Sequence, residues 1–173
     1  ILATGYSFGI QISIGGYPSQ SVNVYHNSVN LFGGIASQIS EFHAAFKVIG
    51  STSNLDVRDN IFSCGIDNPN TIYDKSYSIH CESTDTAFTS IDYNDYYAFG
   101  NEGVLAYLNG DITTLGSLQS ATGQDANSIS GNPEFISDSD LHINPNSGFV
   151  SNNGFYLTTV PTDFDGDTRN NPP

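Results

Sequence analysis

Between Ser21 and Gly100 apolar and polar positions alternate in short runs, and three of those runs are one pattern repeated. Val22 to Phe32 lies over Leu55 to Gly65 and over Thr89 to Phe99, at offsets of 33 and 34 residues. In each copy two alternating apolar positions precede an Asn and two more follow it. The pattern aligns Val24 with Val57 and Ile91, Asn27 with Asn60 and Asn94, and Val29 with Phe62 and Tyr96. Period-two alternation predicts a strand, and an Asn at a fixed place after it predicts the same turn each time, with the Asn itself left-handed. Self-similarity at this spacing predicts stacked repeats, so the three Asn are expected to form a ladder of side-chain amides.

A second apolar strand precedes each copy: Gly9 to Ile14, Ala45 to Ile49 and Tyr77 to Cys81. The longest loops fall between Phe32 and Ala44 and between Gly65 and Ser76. Ile1 to Tyr17 reads as a first coil, or the continuation of an earlier one, around an Ile-alternating strand. Ile39, Phe42 and Phe46 have the spacing of a short helical turn over Gln38–Phe46. After Gly100 the repeat lapses. Thr114 as N-cap, Leu115, Leu118 and Ala121 at helical spacing, and Gly123 as a stop predict one short helix. Asn132–Ile136 and Asp140–Asn144 are read as two strands of a degenerate last coil, followed by an apolar piece over Ser147–Thr159 and an acidic tail from Pro161 to Pro173. The fold class predicted is all-β, a right-handed parallel β-helix with a short C-terminal helix. Coils with the Asn ladder occupy 1–110, and the helix, degenerate coil and tail occupy 111–173.

Composition narrows the partners. The chain has 173 residues, 18 acidic against 4 basic, and a formal net charge of -14. That balance disfavours nucleic acid and anionic membranes, whose binding depends on basic charge. No run is apolar enough for a membrane-spanning helix, so no membrane insertion is expected. The absence of Met and the start at Ile1 suggest an excised or processed segment. Cys64 and Cys81 fall at inward positions and read as small buried hydrophobes, with a disulfide as the alternative.

The run Thr114-Leu115…Gln119…Thr122-Gly123-Gln124-Asp125-Ala126-Asn127-Ser128-Ile129, then Asn132-Pro133-Glu134-Phe135, Asp140-Leu141-His142 and Thr162 to Arg169, resembles the C-terminal portion of secreted right-handed β-helix proteins. These are the pectate-lyase-like repeat proteins common in Bacteroidetes. The resemblance implies a parallel β-helix, secretion by the type IX route, and a place outside the cell or on its surface, joined to further domains of a larger chain. It leaves activity open, because the family holds lyases, hydrolases and members without enzymatic function.

Three function classes follow as expectations. The first is a non-catalytic stalk or adhesion module that contacts a polysaccharide or cell-surface glycan. The second is a carbohydrate-active enzyme, a calcium-dependent lyase or a glycoside hydrolase, and the third is a filament-forming subunit. Tyr25, Arg58 and Asp92 align on one outward column, with Arg58 and Asp92 placed to pair. Arg58 and Asp92 are the catalytic candidates, Arg58 as the base of a lyase with Asp56, Asp59, Asp92 and Asp95 holding Ca²⁺. A carboxylate pair for glycoside hydrolysis is equally available in so acidic a chain. Tyr25, Arg58 and Tyr97 are the carbohydrate-contact candidates, Tyr97 beside Asn30 and Ser63 within a Tyr-rich region of Tyr73, Tyr77, Tyr93, Tyr96, Tyr97 and Tyr107. Asp163, Asp165 and Asp167 around Gly166 form a Ca²⁺ candidate, with an Asx-rich turn neutralised by Arg169 as the other reading. His26, His43, His80 and His142 lack partners at a recognisable spacing and are assigned structural or solvent-facing roles.

Overall fold

A computed structural model describes residues 5–14, 21–36, 40–70, 74–146 and 148–171. The sequence reading of residues 1–4, 15–17, 38, 39, 73, 147, 172 and 173 lies outside the described residues. The described residues are mostly β. Its strands are β1 (Ser7–Ser13), β2 (Val22–Tyr25), β3 (Ser28–Gly34), β4 (Phe42–Ile49), β5 (Leu55–Arg58), β6 (Ile61–Asp67), β7 (Lys75–Cys81), β8 (Phe88–Asp92), β9 (Asp95–Ala98), β10 (Gly103–Leu108), β11 (Asp111–Ile112), β12 (Phe135–Ser137) and β13 (Asp140–Ile143). One helix, α1 (Leu115–Thr122), follows β11.

Each repeat contributes one strand to each of three parallel sheets, ordered β1-β4-β7-β10, β2-β5-β8 and β3-β6-β9. The register is the one the sequence pattern predicts: Val24 pairs with Val57 and Val57 with Ile91, while Val29 pairs with Phe62 and Phe62 with Tyr96. The inward faces of the three sheets share one core. Phe46, Val48, Leu55, Val57, Phe62, Ile91 and Tyr96 are fully buried in it, and the Phe46 and Phe62 rings stack at 4.9 Å. Burial of each such side chain stabilises the fold by about 1.5–3 kcal/mol. Cys64 and Cys81 are free thiols in the same core, and burial pushes both up to about 11. Gly9 lies between the apolar positions Phe8, Ile10 and Ile12 of β1, where a Cβ would meet the Ala45 carbonyl oxygen at 2.6 Å.

At the corner between the second and third sheets the Asn ladder is present. Asn27 Nδ2 donates to Asn60 Oδ1 at 2.9 Å, and Asn60 Nδ2 donates to Asn94 Oδ1 at 3.0 Å. The same oxygens accept the backbone N–H groups of Asn27 and Asn60. The left-handed residues, however, are not the Asn but their predecessors: His26, Asp59 and Tyr93 have φ of 54°, 60° and 57°. Placing the turn strain one residue earlier points each Asn inward, where it bonds along the stack, while Asn27 and Asn60 also donate back to Tyr25 O and Arg58 O of their own turns.

Two other sequence expectations are corrected. The helical turn over Gln38–Phe46 is replaced from Phe42 onward by β4, because Ala44, Phe46 and Val48 take the inward positions of a strand held between β1 and β7. Asn132–Ile136 and Asp140–Asn144 do form strands, yet they pair with each other as an antiparallel hairpin, β12 with β13, and add no coil. The stretch 148–159 forms no strand; it runs as an irregular segment with Leu157 buried.

The stack continues instead through Gln124–Ser130. Ile91 N donates to Gln124 Oε1, Asp125 N to Ile91 O, and Asn94 N to Ser128 Oγ at 3.0 Å. Ile129 bridges Asp95 in parallel. Ser128 thus takes the fourth place in the Asn column. The helix was legible: Thr114 Oγ1 accepts Ser117 N as N-cap, and Gly123 closes α1 in the left-handed conformation at φ 66°. Leu118 seats α1 on the core, and β11 turns back antiparallel on β10.

Candidate functional site

The three left-handed residues do more than turn the chain. With their side chains off the inward column, His26, Asp59 and Tyr93 line a groove of about 310 Å³ along the corner, together with Ser28, Ile61 and Asp95 of the third sheet's outer face. The opposite wall comes from Ile143 at the end of β13 and from the irregular segment after it: Val150, Ser151, Asn153, Gly154 and Arg169. Phe155 N donates to Asp59 Oδ1, pinning that wall to the corner, and the Phe155 ring lies 5.4 Å from Tyr93.

Burial governs the protonation of the groove. Desolvation pushes Asp95 up to about 7 against the single amide of Gly131 that favours its charge. Asp59 is likewise raised by burial to about 6, opposed by the Phe155 amide and by Arg58 and Arg169. His26 is lowered to about 4, first by burial and then by Arg169. Near neutral pH the groove therefore holds a neutral imidazole, a largely ionised Asp59 and an Asp95 shared between its two states. Three of its buried polar atoms, His26 Nε2, Asp59 Oδ2 and Asp95 Oδ2, have no hydrogen-bond partner. Buried polar atoms are nearly always paired, so three orphans on residues that line one groove single it out as the candidate site.

Tyr25, Arg58 and Asp92 do align on one column, with Tyr25 paired to Arg58 and Arg58 to Asp92 in register. The expected Arg58–Asp92 ion pair does not form. Arg58 instead grips Asp56 on its own strand with two bonds of 2.7 and 2.6 Å, and Tyr25 Oη donates to Asp56 Oδ2 at 2.5 Å. The guanidinium also sits 5.3 Å from the Tyr25 ring and 5.6 Å from Phe155. The Asp56 bonds raise the Arg58 pKa further, which makes proton abstraction by Arg58 still harder. Asp92 turns the other way, accepting Asn127 N at 2.7 Å and Asn127 Nδ2 at 2.8 Å. Of the four acids expected to hold Ca²⁺, Asp56 and Asp92 are thus occupied elsewhere, and Asp59 and Asp95 share the groove.

Tyr97 lies beside Asn30 and Ser63 as the pattern predicts, and the three line a second groove of about 260 Å³ closed by Asn132–Asp138. The structure separates it from Tyr25 and Arg58, which stand on another sheet. Asp163, Asp165 and Asp167 do not converge on a common point. Asp163 Oδ1 accepts the amides of Asp165 and Asp167 as an Asx turn, Asp165 Oδ2 bonds His142 Nε2 at 2.8 Å, and Arg169 Nε donates to Thr162 O. His43 and His80 are buried and His142 is exposed.

Sequence reasoning missed His26 and Arg169 as groove residues. His26 had a usable signal, because the position before each ladder Asn recurs every 33 or 34 residues. Arg169 had none, being brought to the corner by an irregular segment. Compared with protein-family models, with curated proteins and with solved structures, the chain matches none of them.

Proposed function

We propose that the three parallel sheets are the faces of one right-handed β-helix, and that this helix is a rigid, non-catalytic module of a secreted surface protein that binds a neutral glycan in the corner groove. The observation that carries the reading is that His26, Asp59 and Asp95, all lining the 310 Å³ groove, each keep a buried polar atom without a partner: Nε2, Oδ2 and Oδ2. Sugar hydroxyls donate and accept together, so one hydroxyl-rich ligand satisfies an ionised carboxylate, a protonated one and an imidazole. The Tyr93 and Phe155 rings at the groove supply the apolar contact that sugar rings use. A net charge of -14 disfavours polyuronates and selects neutral chains.

A second reading, glycoside hydrolysis, is favoured by one observation: Asp95 and Asp59 are raised to about 7 and about 6, which suits a general acid beside a general base. A filament built end to end is disfavoured, since β11, α1 and Gln124–Ser130 cover one end of the stack.

Affinity electrophoresis against a panel of neutral polysaccharides tests the binding, with release of reducing ends followed in the same samples. Retardation by at least one neutral glycan, weakened tenfold or more in both Asp59→Asn and Asp95→Asn and without reducing-end release, is the expected result. Release abolished by Asp95→Asn supports hydrolysis instead. Retardation unchanged in both variants overturns the groove as the site.

A further inference from the structure

On the first sheet, far in sequence from the corner groove's walls, a second polar cluster is buried. Glu41 and Asp74 immediately precede β4 and β7 and stand 33 residues apart, one repeat of the stack, while His43 is the second residue of β4. Their residues are 5 %, 2 % and 0 % exposed, and one ligand atom from each lies within 4.8 Å of the other two. Asp74 Oδ1 accepts Glu41 N at 2.9 Å and Asp74 Oδ2 accepts Asn68 Nδ2 at 2.8 Å, while His43 Nδ1 accepts Ser7 N at 3.2 Å. Glu41 Oε2 and His43 Nε2 remain without any partner.

The charge is unbalanced as well. The charged groups nearby, Asp67 and Glu102, are acidic, and Lys75, next to Asp74 in sequence, gives its ammonium to Asp111. Burial holds the His43 imidazole neutral. Two carboxylates removed from water beside an imidazole, with no ion pair to either carboxylate among the described residues, are not a stable arrangement by themselves. Three donor atoms so close share a centre no more than about 2.8 Å from each, and modest rotamer changes shorten that to the ~2.0–2.2 Å of first-row metal bonds.

We propose that Glu41, His43 and Asp74 bind a divalent transition-metal ion such as Zn²⁺. The imidazole favours this class over Ca²⁺, and the two carboxylates neutralise its charge. Glu41 also lines an open trough with Phe42, Lys75 and Tyr77, which gives the ion a way in. Because Nδ1 accepts the Ser7 amide, the free neutral ring carries its proton on Nε2. Coordination through Nε2 moves that proton to Nδ1 and detaches the Ser7 amide, so occupancy is read at the start of β1 as well as at the metal.

Titration of the whole chain with Zn²⁺ against a competing chromophoric chelator tests this, with amide spectra recorded in parallel. Expected are one Zn²⁺ per chain, a displaced Ser7 amide resonance, and affinity at least tenfold weaker in Glu41→Gln and in His43→Gln. His142→Ala, which removes the exposed Asp140–His142–Asp165 group, leaves the stoichiometry unchanged. No stoichiometric binding, binding insensitive to Glu41→Gln, or binding lost in His142→Ala overturns the proposal. If His43→Gln does not fold, anomalous scattering at the zinc edge from wild-type crystals decides, and zinc away from Glu41 or a water alone between the three residues overturns it.

Discussion

Two columns of polar side chains run side by side along the same corner, one residue apart in sequence, and they are opposites. Asn27, Asn60 and Asn94 face inward and are saturated: Asn60 Oδ1 accepts two bonds from Asn27, and its Nδ2 donates to Val24 O, Arg58 O and Asn94 Oδ1. His26 and Asp59, immediately before them, keep buried atoms with no partner. Both columns hold buried polar atoms on one backbone, so burial alone does not tell structure from function. Satisfaction does: a saturated row rigidifies the stack, whereas a row left open is, in the function we propose, the one that takes a ligand.

The contrast is broken most forcefully from the inner side. Asn60→Ala leaves the Asn27 amide, two backbone carbonyls and Asn94 Oδ1 without their shared partner inside the core, and is expected to cost about 4 kcal/mol of unfolding free energy. Denaturant unfolding reads it. A loss under ~1 kcal/mol would mean that the ladder is decoration and that the strands alone set the stack.

The inner column was legible because its chemistry repeats. Asn recurs at each rung, the flanking Val, Ile, Phe and Tyr alternate, and the spacing fixes the register, so Val24–Val57–Ile91 and Asn30–Ser63–Tyr97 were readable without coordinates. The outer column was not, since left-handed φ falls on His26, Asp59 and Tyr93, and although His and Asp favour that region, Tyr does not. The last rung also changed its residue type: Ser128 stands where the pattern asks for Asn and does the same work with a hydroxyl. The groove's far wall is set by tertiary contact alone, Phe155 meeting Asp59 across 96 residues of chain. Glu41 and Asp74 carried a usable signal, acids at one place in successive repeats, which the search for strands passed over.

The outer column answers in the other direction. Asp95 is destabilising when ionised, because its folded pKa of about 7 lies well above the ordinary carboxylate value. Its favourable contribution is complete below about pH 4 and is lost as pH rises through about 7. Asp95→Asn removes that loss and is expected to stabilise the protein most at pH 8, by about 2–3 kcal/mol less at pH 5, and hardly at all at pH 3. Comparing variant with wild type at each pH cancels His26, whose lowered pKa acts with the opposite sign as pH falls from 6.5 towards 4. Equal stability of the two proteins at pH 8 would show Asp95 to be solvated and the groove to be ordinary surface.

The smallest effect separates the groove from the column on its flank. Arg58 is half-buried, bonded twice to Asp56 and lying against Tyr25 and Phe155, so it joins the second sheet's outer face to the segment that walls the groove. Arg58→Lys keeps the charge but gives up the planar fork, and such partly exposed pairs contribute about 1 kcal/mol or less. Thermal unfolding is therefore expected to move by only a few degrees. Glycan retardation, if the groove is the site, stays within about threefold of wild type, because the orphaned atoms belong to His26, Asp59 and Asp95 and none to Arg58. A variant that keeps its stability yet loses retardation tenfold would transfer the binding face from the corner to the Tyr25–Arg58 column. The distinction between saturated and open rows would then no longer identify the site.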